Sequence, residues 1–342
     1  MTDISVQSHK KAETGSYKGV YFLGLLILFL ITVYISVNTG SLNISMEQLL
    51  SGLFVKYDPD VAVIWDLRFP RIFIASLGGA ALSVSGVLFQ ACMKNPIADP
   101  GIIGVSAGAG FVAVLIAGMF PSLYFLTPLF AFAGGILSCG LVYLLAFKNG
   151  LNPLRVILVG VAVNAVFTGL TQAFHSMTGG SMTGVASIAT ANISQKTWED
   201  VYMISGYVVL GLVLAFGAFY KCDLLSLSDQ TARGLGVNVT TARISVSFLA
   251  VVLASISTAE MGVVSFIGLI IPHIARLLVG SSHKVLIPFS MLGGAFLMLL
   301  ADTLGRTIAA PYEISASILL SIVGGPMLII LIRRSEKIYG VQ

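Results

Sequence analysis

Apolar runs of about 18–22 residues recur from one end of this 342-residue chain to the other. Each is long enough to cross the roughly 30 Å of hydrocarbon in a bilayer. No soluble fold buries so much, because 56% of the residues are hydrophobic and only 10% are charged. The expectation is an all-α, polytopic membrane protein with ten spans. They fall near residues 19–38, 70–91, 98–119, 127–147, 154–175, 200–220, 242–257, 262–279, 285–305 and 313–332. Residues 1–18 read as an N-terminal tail, 19–333 as one transmembrane domain and 334–342 as a C-terminal tail. The first apolar run has no small-residue cleavage site, so it reads as a retained span.

The third and eighth runs contain glycine and proline and invite division into shorter pieces. Gly104-x-x-x-Gly108 and Gly79-x-x-x-Ser83 are spacings that let helix backbones approach closely where lipid gives no hydrophobic drive for association. With 36 glycines, a compact bundle of tilted or broken helices is expected. No internal repeat is visible residue by residue.

Charge orients the bundle. With a cytoplasmic amino terminus and ten spans, Lys56, Arg68, Arg71, Lys196 and Arg306 fall outside, and the other 14 of the 19 Lys and Arg fall inside. That is the bias of the positive-inside rule, so the net charge of +4 needs no nucleic acid partner. Trp65 and Trp198 both fall at the outer boundary, where amphipathic rings sit. The three cysteines, Cys92, Cys139 and Cys222, form neither a disulfide pattern nor a metal motif. His9, His175, His273 and His283 are scattered, without the spacing of a metal cage.

Two polar features stand out. On a helix, Arg68 and Arg71 share a face, and Arg306 is expected on the same outer side. They read either as snorkelling anchors or as a cationic dock for an acidic partner. "KNPIADPG" reads as a cap and turn around Asp99. The following "GVSAGAG" leaves backbone open to a cavity or a neighbouring helix. The second feature is the polar island "LLSLSDQTARGLGVNVTTAR", residues 224–243. Ser226-x-x-Asp229 suggests a capping box opening a short helix through Arg233. Gly234 and Gly236 end it, and Asn238 caps the next helix. The island reads as a surface loop or as a bent helical lever, centred on about 224–241, for another protein to push.

"LRFPR", "GAALSVSGVLFQACMKNPIADPGIIGVSAGAG", "DQTARGLGV", "FIGLIIPHIARLLVG" and "LLADTLGR" follow one another in this order. Together they resemble the FecCD-type permeases of binding-protein-dependent ABC importers, which carry iron-siderophores, haem or cobalamin, and the chain is similar to cobalamin importer permeases. The resemblance covers nearly all of the chain after the tail. It implies a permease in the bacterial cytoplasmic membrane with both termini cytoplasmic. A second permease subunit (identical or a paralogue), two cytosolic ATPases and an extracytoplasmic substrate-binding (lipo)protein complete the importer. Arg68, Arg71 and Arg306 match the arginines that dock acidic residues of the binding protein. Ser228, Asp229, Gln230, Thr231, Ala232, Arg233, Gly234, Leu235 and Gly236 match the coupling helices that seat in the ATPase.

No G-x-x-x-x-G-K-[ST] motif occurs, so the chain is expected to be no enzyme and to bind no cofactor, with ATP and Mg on the partner ATPase. Ferric siderophore is the expected cargo, then haem, then cobalamin. Asn164, Gln172, His175, Met177 and Met182 are candidates to line the path near its outer end, beside a packing role for each. The chain departs from the family pattern at "EISAS" after Ala310-Pro311-Tyr312, where I-P-[VI]-G commonly follows the glutamate, and in the loop at 175–200. An ion-coupled secondary transporter would need an ionisable residue near mid-membrane. The candidates Asp302 and Glu313 fall near outer helix ends and Glu260 in an outer turn. An intramembrane enzyme would need a nucleophile with a partner base, and a passive channel would leave the lever unexplained.

Overall fold

The computed structural model describes residues 2–39, 44–54, 57–146, 153–178 and 183–339. Among these the regular structure is helical throughout. The helices are α1 (Thr2–Asn38), α2 (Met46–Phe54), α3 (Pro59–Leu67), α4 (Phe69–Met93), α5 (Val105–Met119), α6 (Thr127–Ala146), α7 (Pro153–Met177) and α8 (Thr183–Thr190). There follow α9 (Trp198–Gly217), α10 (Phe219–Leu225), α11 (Asp229–Gly234), α12 (Val239–Met261), α13 (Ile267–Val279), α14 (His283–Ile308) and α15 (Ala316–Tyr339), with a 3₁₀ turn at Pro121–Leu126.

Seven segments are long and apolar enough to cross a membrane, and three shorter apolar helices, Val105–Met119, Ile267–Val279 and Ala316–Ile330, accompany them. The expectation of ten comparable spans is therefore refined. The third and eighth begin late, at Val105 and Ile267, after stretches of non-helical backbone. At the chain's ends the helices run on into the expected tails, from Thr2 in α1 and to Tyr339 in α15.

α4 is the axis. It is apolar on all sides, and 83% of the apolar window it forms with α3 is buried, against 17% for α1 and 28% for α7. A helix apolar all round belongs inside. α14, α12, α13 and α9 pack around it. The close approaches are made where the sequence is small. A Cβ on Gly79 would collide with the Gly294 carbonyl, and one on Gly294 with Gly79 and Ser83. Gly86 meets the Gly268 backbone in the same way, and Gly108 meets Ser138 and Gly134. Both small-residue spacings thus mark helix contacts, and "GVSAGAG" faces α6 and α7.

The interrupted backbone is satisfied by buried side chains. Asp99 accepts from the Gly101 and Ile102 amides, and its other oxygen lies against Gly268. It therefore packs the segment that precedes α5 against the start of α13, beyond the local cap expected of it. Asn164 donates to the Gly101 carbonyl, Ser138 to Gly104 and Gln90 to Gly268. Non-helical backbone at membrane depth persists only with such partners.

The bundle has two chemically distinct ends. Trp65 and Trp198 lie at one of them with ring centroids 4.6 Å apart, and Phe69, Phe73 and Tyr202 extend the aromatic cluster. Lys94, Lys221, Arg243 and His283 gather at the other, around α10 and α11. Because Gly294 has no room for a side chain, Gly294→Val should lower stability by about 3 kcal/mol or more through overpacking. Gly206→Val, where open space surrounds the new Cβ, should cost less than about 1 kcal/mol. Unfolding of both variants in mixed micelles tests this.

Candidate functional site: a charged mouth and a helical lever

At the tryptophan end, α3 and α4 meet at Arg68, which caps the first and precedes the second. Arg68 donates to the Val37 carbonyl at the end of α1. Arg71 lies in the first turn of α4, three residues on, and the backbone between them stays helical, with the Ile72 amide donating to the Arg68 carbonyl. Pro70 in the first turn of α4 is well tolerated, since amides there lack helical acceptors.

Arg71 is buried, its side chain 8% exposed. Its Nε lies 3.1 and 3.0 Å from the two Asp302 oxygens and its Nη2 2.9 Å from Oδ1. Its Nη1 donates to Glu313 at 3.1 and 3.0 Å. Arg306 donates to Ser36 Oγ at 2.6 Å and approaches Asp302 at 3.4 Å. Arg71 and Arg306 are thus brought together at Asp302, with Glu313 beside Arg71, while Arg68 reaches to the end of α1. Arg71 is held inside the protein, where the sequence suggested an open cation. Asp302 and Glu313 belong to this cluster. A cavity of about 300 Å³ adjoins it, lined by Arg71, Asp302, Glu313, Ser315 and the Thr190–Ile193 stretch that ends α8.

A second buried cluster stands at the same end. Lys196 Nζ lies 2.7 Å from Glu260 Oε2 and 4.0 Å from Asp200, and Tyr124 donates to Asp200. Glu260 therefore closes α12 as a buried ion-pair partner, where the sequence suggested an outer turn. Asp200 also completes a capping box with Thr197 at the start of α9.

The candidate path residues separate from the cavity. Asn164 serves the backbone before α5 and accepts from Thr168. Gln172, His175 and Met177 follow on the same helix, with Met177 85% exposed. Met182 lies outside the described residues.

The polar island forms a bent pair of short helices. Ser226 closes α10, donating to the Cys222 carbonyl, so the expected capping box of Ser226 and Asp229 does not open α11, whose simple cap lies two residues later. Ser228 is the cap of α11 and accepts from the Thr231 amide at 3.1 Å. Asn238 caps α12 through the Thr241 amide, as expected. Gly236 turns the chain at φ +80°, where a side chain would be strained. Ala232 is buried, whereas Gln230, Thr231, Arg233, Gly234 and Leu235 face outward. Asp229 fastens the lever, at 2.6 Å from Lys94 at the foot of α4 and 3.2 Å from Arg243 on α12.

The hydrogen bond from Lys94 is the first cause holding the Asp229 carboxyl below its ordinary 3.8, aided by the charges of Arg243 and Lys94 and opposed by partial burial. A depressed carboxyl contributes stability above its unfolded pKa and loses it as pH falls through the folded one. Hydrogen exchange in α11, corrected for intrinsic rate, should therefore be flat from about pH 8 to 5 and rise only below about pH 4. At the mouth, Asp302→Asn should destabilise by about 3 kcal/mol, because it removes the buried carboxylate that Arg71 and Arg306 share and leaves Arg71 only the half-exposed Glu313. Glu313→Gln, at a side chain 38% exposed, should cost about 1 kcal/mol or less. Thermal unfolding in detergent would rank the two.

Comparison with known proteins gives this arrangement a setting. The model of the FecCD transport family matches residues 27–334. "Probable heme-iron transport system permease protein IsdF" of Staphylococcus aureus (strain MSSA476) is 41% identical over 328 residues, 94% of this chain and 97% of that protein. The protein of the same name in strain Newman matches equally well. Among solved structures, "An inward-facing conformation of a putative metal-chelate type ABC transporter" aligns with TM-score 0.75 and 30% identity, covering 93% of this chain and 99% of that one. PsaBC from Streptococcus pneumoniae, in complex with Fab, shares the fold at TM-score 0.59 and 15% identity, covering 84% and 95%.

Proposed function

The chain belongs to the FecCD transport family, and we propose that it forms the membrane pathway of a binding-protein-dependent ABC importer for an iron chelate, with haem as the first candidate. The observation that carries this reading is the 41% identity, over 94% of the chain, to a permease named for haem-iron transport. That likeness moves haem ahead of ferric siderophore, the order expected from sequence motifs alone. Cobalamin stays third.

The assembly is a pair of permease subunits, identical or paralogous, with two cytosolic ATPases that hold ATP and Mg and a binding (lipo)protein outside. The basic residues gathered at the α11 end support a cytoplasmic lever and cytoplasmic termini. The paired tryptophans support an outer mouth opposite. In this frame Arg68, Arg71 and Arg306 present positive charge to acidic side chains of the binding protein. Ser228 through Gly236 present a small, capped helix to the ATPase. Its buried Ala232 and the Asp229 clamp pass force to α4 and α12, while Arg233 and Leu235 face the partner. The exposed side of α7, with Gln172, His175 and Met177, is the surface left for the second subunit or the cargo.

Proteoliposomes holding the permease, its ATPase and the binding protein should take up haem only with ATP inside. Replacing residues 228–236 by a flexible glycine-serine linker should cut uptake at least tenfold and release the ATPase. Capture of the binding protein should weaken steeply from low to high salt, as exposed charge pairs are screened. Uptake driven by an ion gradient without ATP would make the chain a secondary transporter, and uptake of ferric siderophore but not haem would restore the sequence-based order.

A further inference from the structure

The docking arginine deepest in the mouth already has carboxylate partners, and the two are unequal. Asp302 is 3% exposed, sits within α14, and meets Arg71 through Nε and Nη2. Glu313 is 38% exposed, sits on the non-helical stretch between α14 and α15, and meets only Nη1. Removing Asp302 would need α14 to move. Removing Glu313 needs a side-chain rotation and a small shift of its segment.

We propose that Glu313 is an internal stand-in for the binding protein's acidic side chain. It occupies the outer edge of Arg71 until an incoming carboxylate displaces it, and its release loosens the entry to α15. This rests on the docking reading above. The exchange is close to balanced, since one carboxylate on the guanidinium replaces another and the departing one gains water. It also selects its partner, because an anion makes a stronger, charge-assisted bond to the guanidinium than a neutral side chain does. With Glu313 in place, the charges of Arg71 and Arg306 face two carboxylates. Without it, one positive charge is left in excess before the newcomer.

The consequence of release is local and specific. The Ile314 amide donates to the Gly305 carbonyl at 2.9 Å, and the Ile314 carbonyl lies where a side chain on Gly305 would be. Two residues on, buried Ala316 opens α15. Farther along that helix Gly324 lies against Phe266, the residue at φ +71° that starts the broken helix α13. Glu313, Ile314, Ser315 and Ala316 also form one wall of the 300 Å³ cavity, with Asn192 and Ile193 opposite. A docked receptor would thus unfasten the wall of the chamber beside which it releases its cargo.

The test uses the complete importer in nanodiscs, titrated with its purified, cargo-loaded binding protein, for the natural chain and for Glu313→Gln. The expected result is capture about tenfold tighter in Glu313→Gln, with raised ATP hydrolysis at low binding-protein concentration. Unchanged or weaker capture in Glu313→Gln overturns the exchange, while salt-sensitive capture by the natural chain leaves the docking reading standing. Capture by the natural chain that ignores salt removes the docking reading and the exchange with it. If Glu313→Gln does not assemble, hydrogen exchange of residues 309–318 in the natural importer decides. Faster exchange on docking is expected, and unchanged or slower exchange overturns the proposal.

Discussion

Everything in this bundle depends on how closely backbones approach α4. Lipid is as apolar as leucine, so association in the membrane relies on van der Waals contact and hydrogen bonds. Gly79 against Gly294 and Gly86 against Gly268 bring α14 and α13 to backbone contact with the central helix. Ser85 adds a bond of 2.7 Å to the Ala250 carbonyl of α12. Once these contacts are made, both functional ends are placed. Arg71 stands in the first turn of α4, Lys94 caps its other end, and a rise of 23 residues separates them, about 35 Å at 1.5 Å per residue.

The same close packing makes the interruptions before α5 and α13 tolerable. Each leaves backbone groups without helical partners in a place where water is scarce. Asp99 answers two of them by accepting from the Gly101 and Ile102 amides while it packs against Gly268. Gln90, Ser138 and Asn164 supply donors to the carbonyls. Asn164 therefore has a structural duty that weakens its standing as a residue of the path. Family-like motifs cluster where they do because the broken backbone needs this particular set of short polar side chains.

What was legible in the sequence follows from how local its cause is. Span positions, the glycine spacings, the tryptophan boundary and the Asn238 cap each depend on a few neighbouring residues or on one solvent property. Glycine and proline in the third and eighth spans signalled an interruption, but the structure makes it a late start at Val105 and Ile267, with Pro272 inside α13. α2, α3 and α8 escaped notice because helices of eight or nine residues carry too little periodic signal between spans. The cap of α11 slipped from Ser226 to Ser228 because both serines fit an N-cap, and only the turn closing α10 decides between them. The charge partners were the least legible of all. Arg71 meets Asp302 across 231 residues and Glu313 across 242, and nothing near any of the three names the others. The burial of Arg71 and Arg306 and their shared counter-ion needed the fold.

Those counter-ions explain why the mouth and the lever are built differently. A guanidinium in the first turn of a buried helix cannot wait unpaired for a partner, since leaving one charge of a buried pair alone costs several kcal/mol. A dock rooted in α4 must therefore carry its own carboxylates, and Asp302 supplies the permanent one. The lever carries no such constraint. Asp229, Lys94 and Arg243 are each at least 29% exposed, so water shares their charge and the clamp is weak and adjustable. One end of α4 thus carries a buried cation held by buried and half-buried carboxylates, and the other a solvated ionic clamp. Under the proposed function the first suits recognition by a partner of set geometry and the second suits a contact that yields when a partner moves.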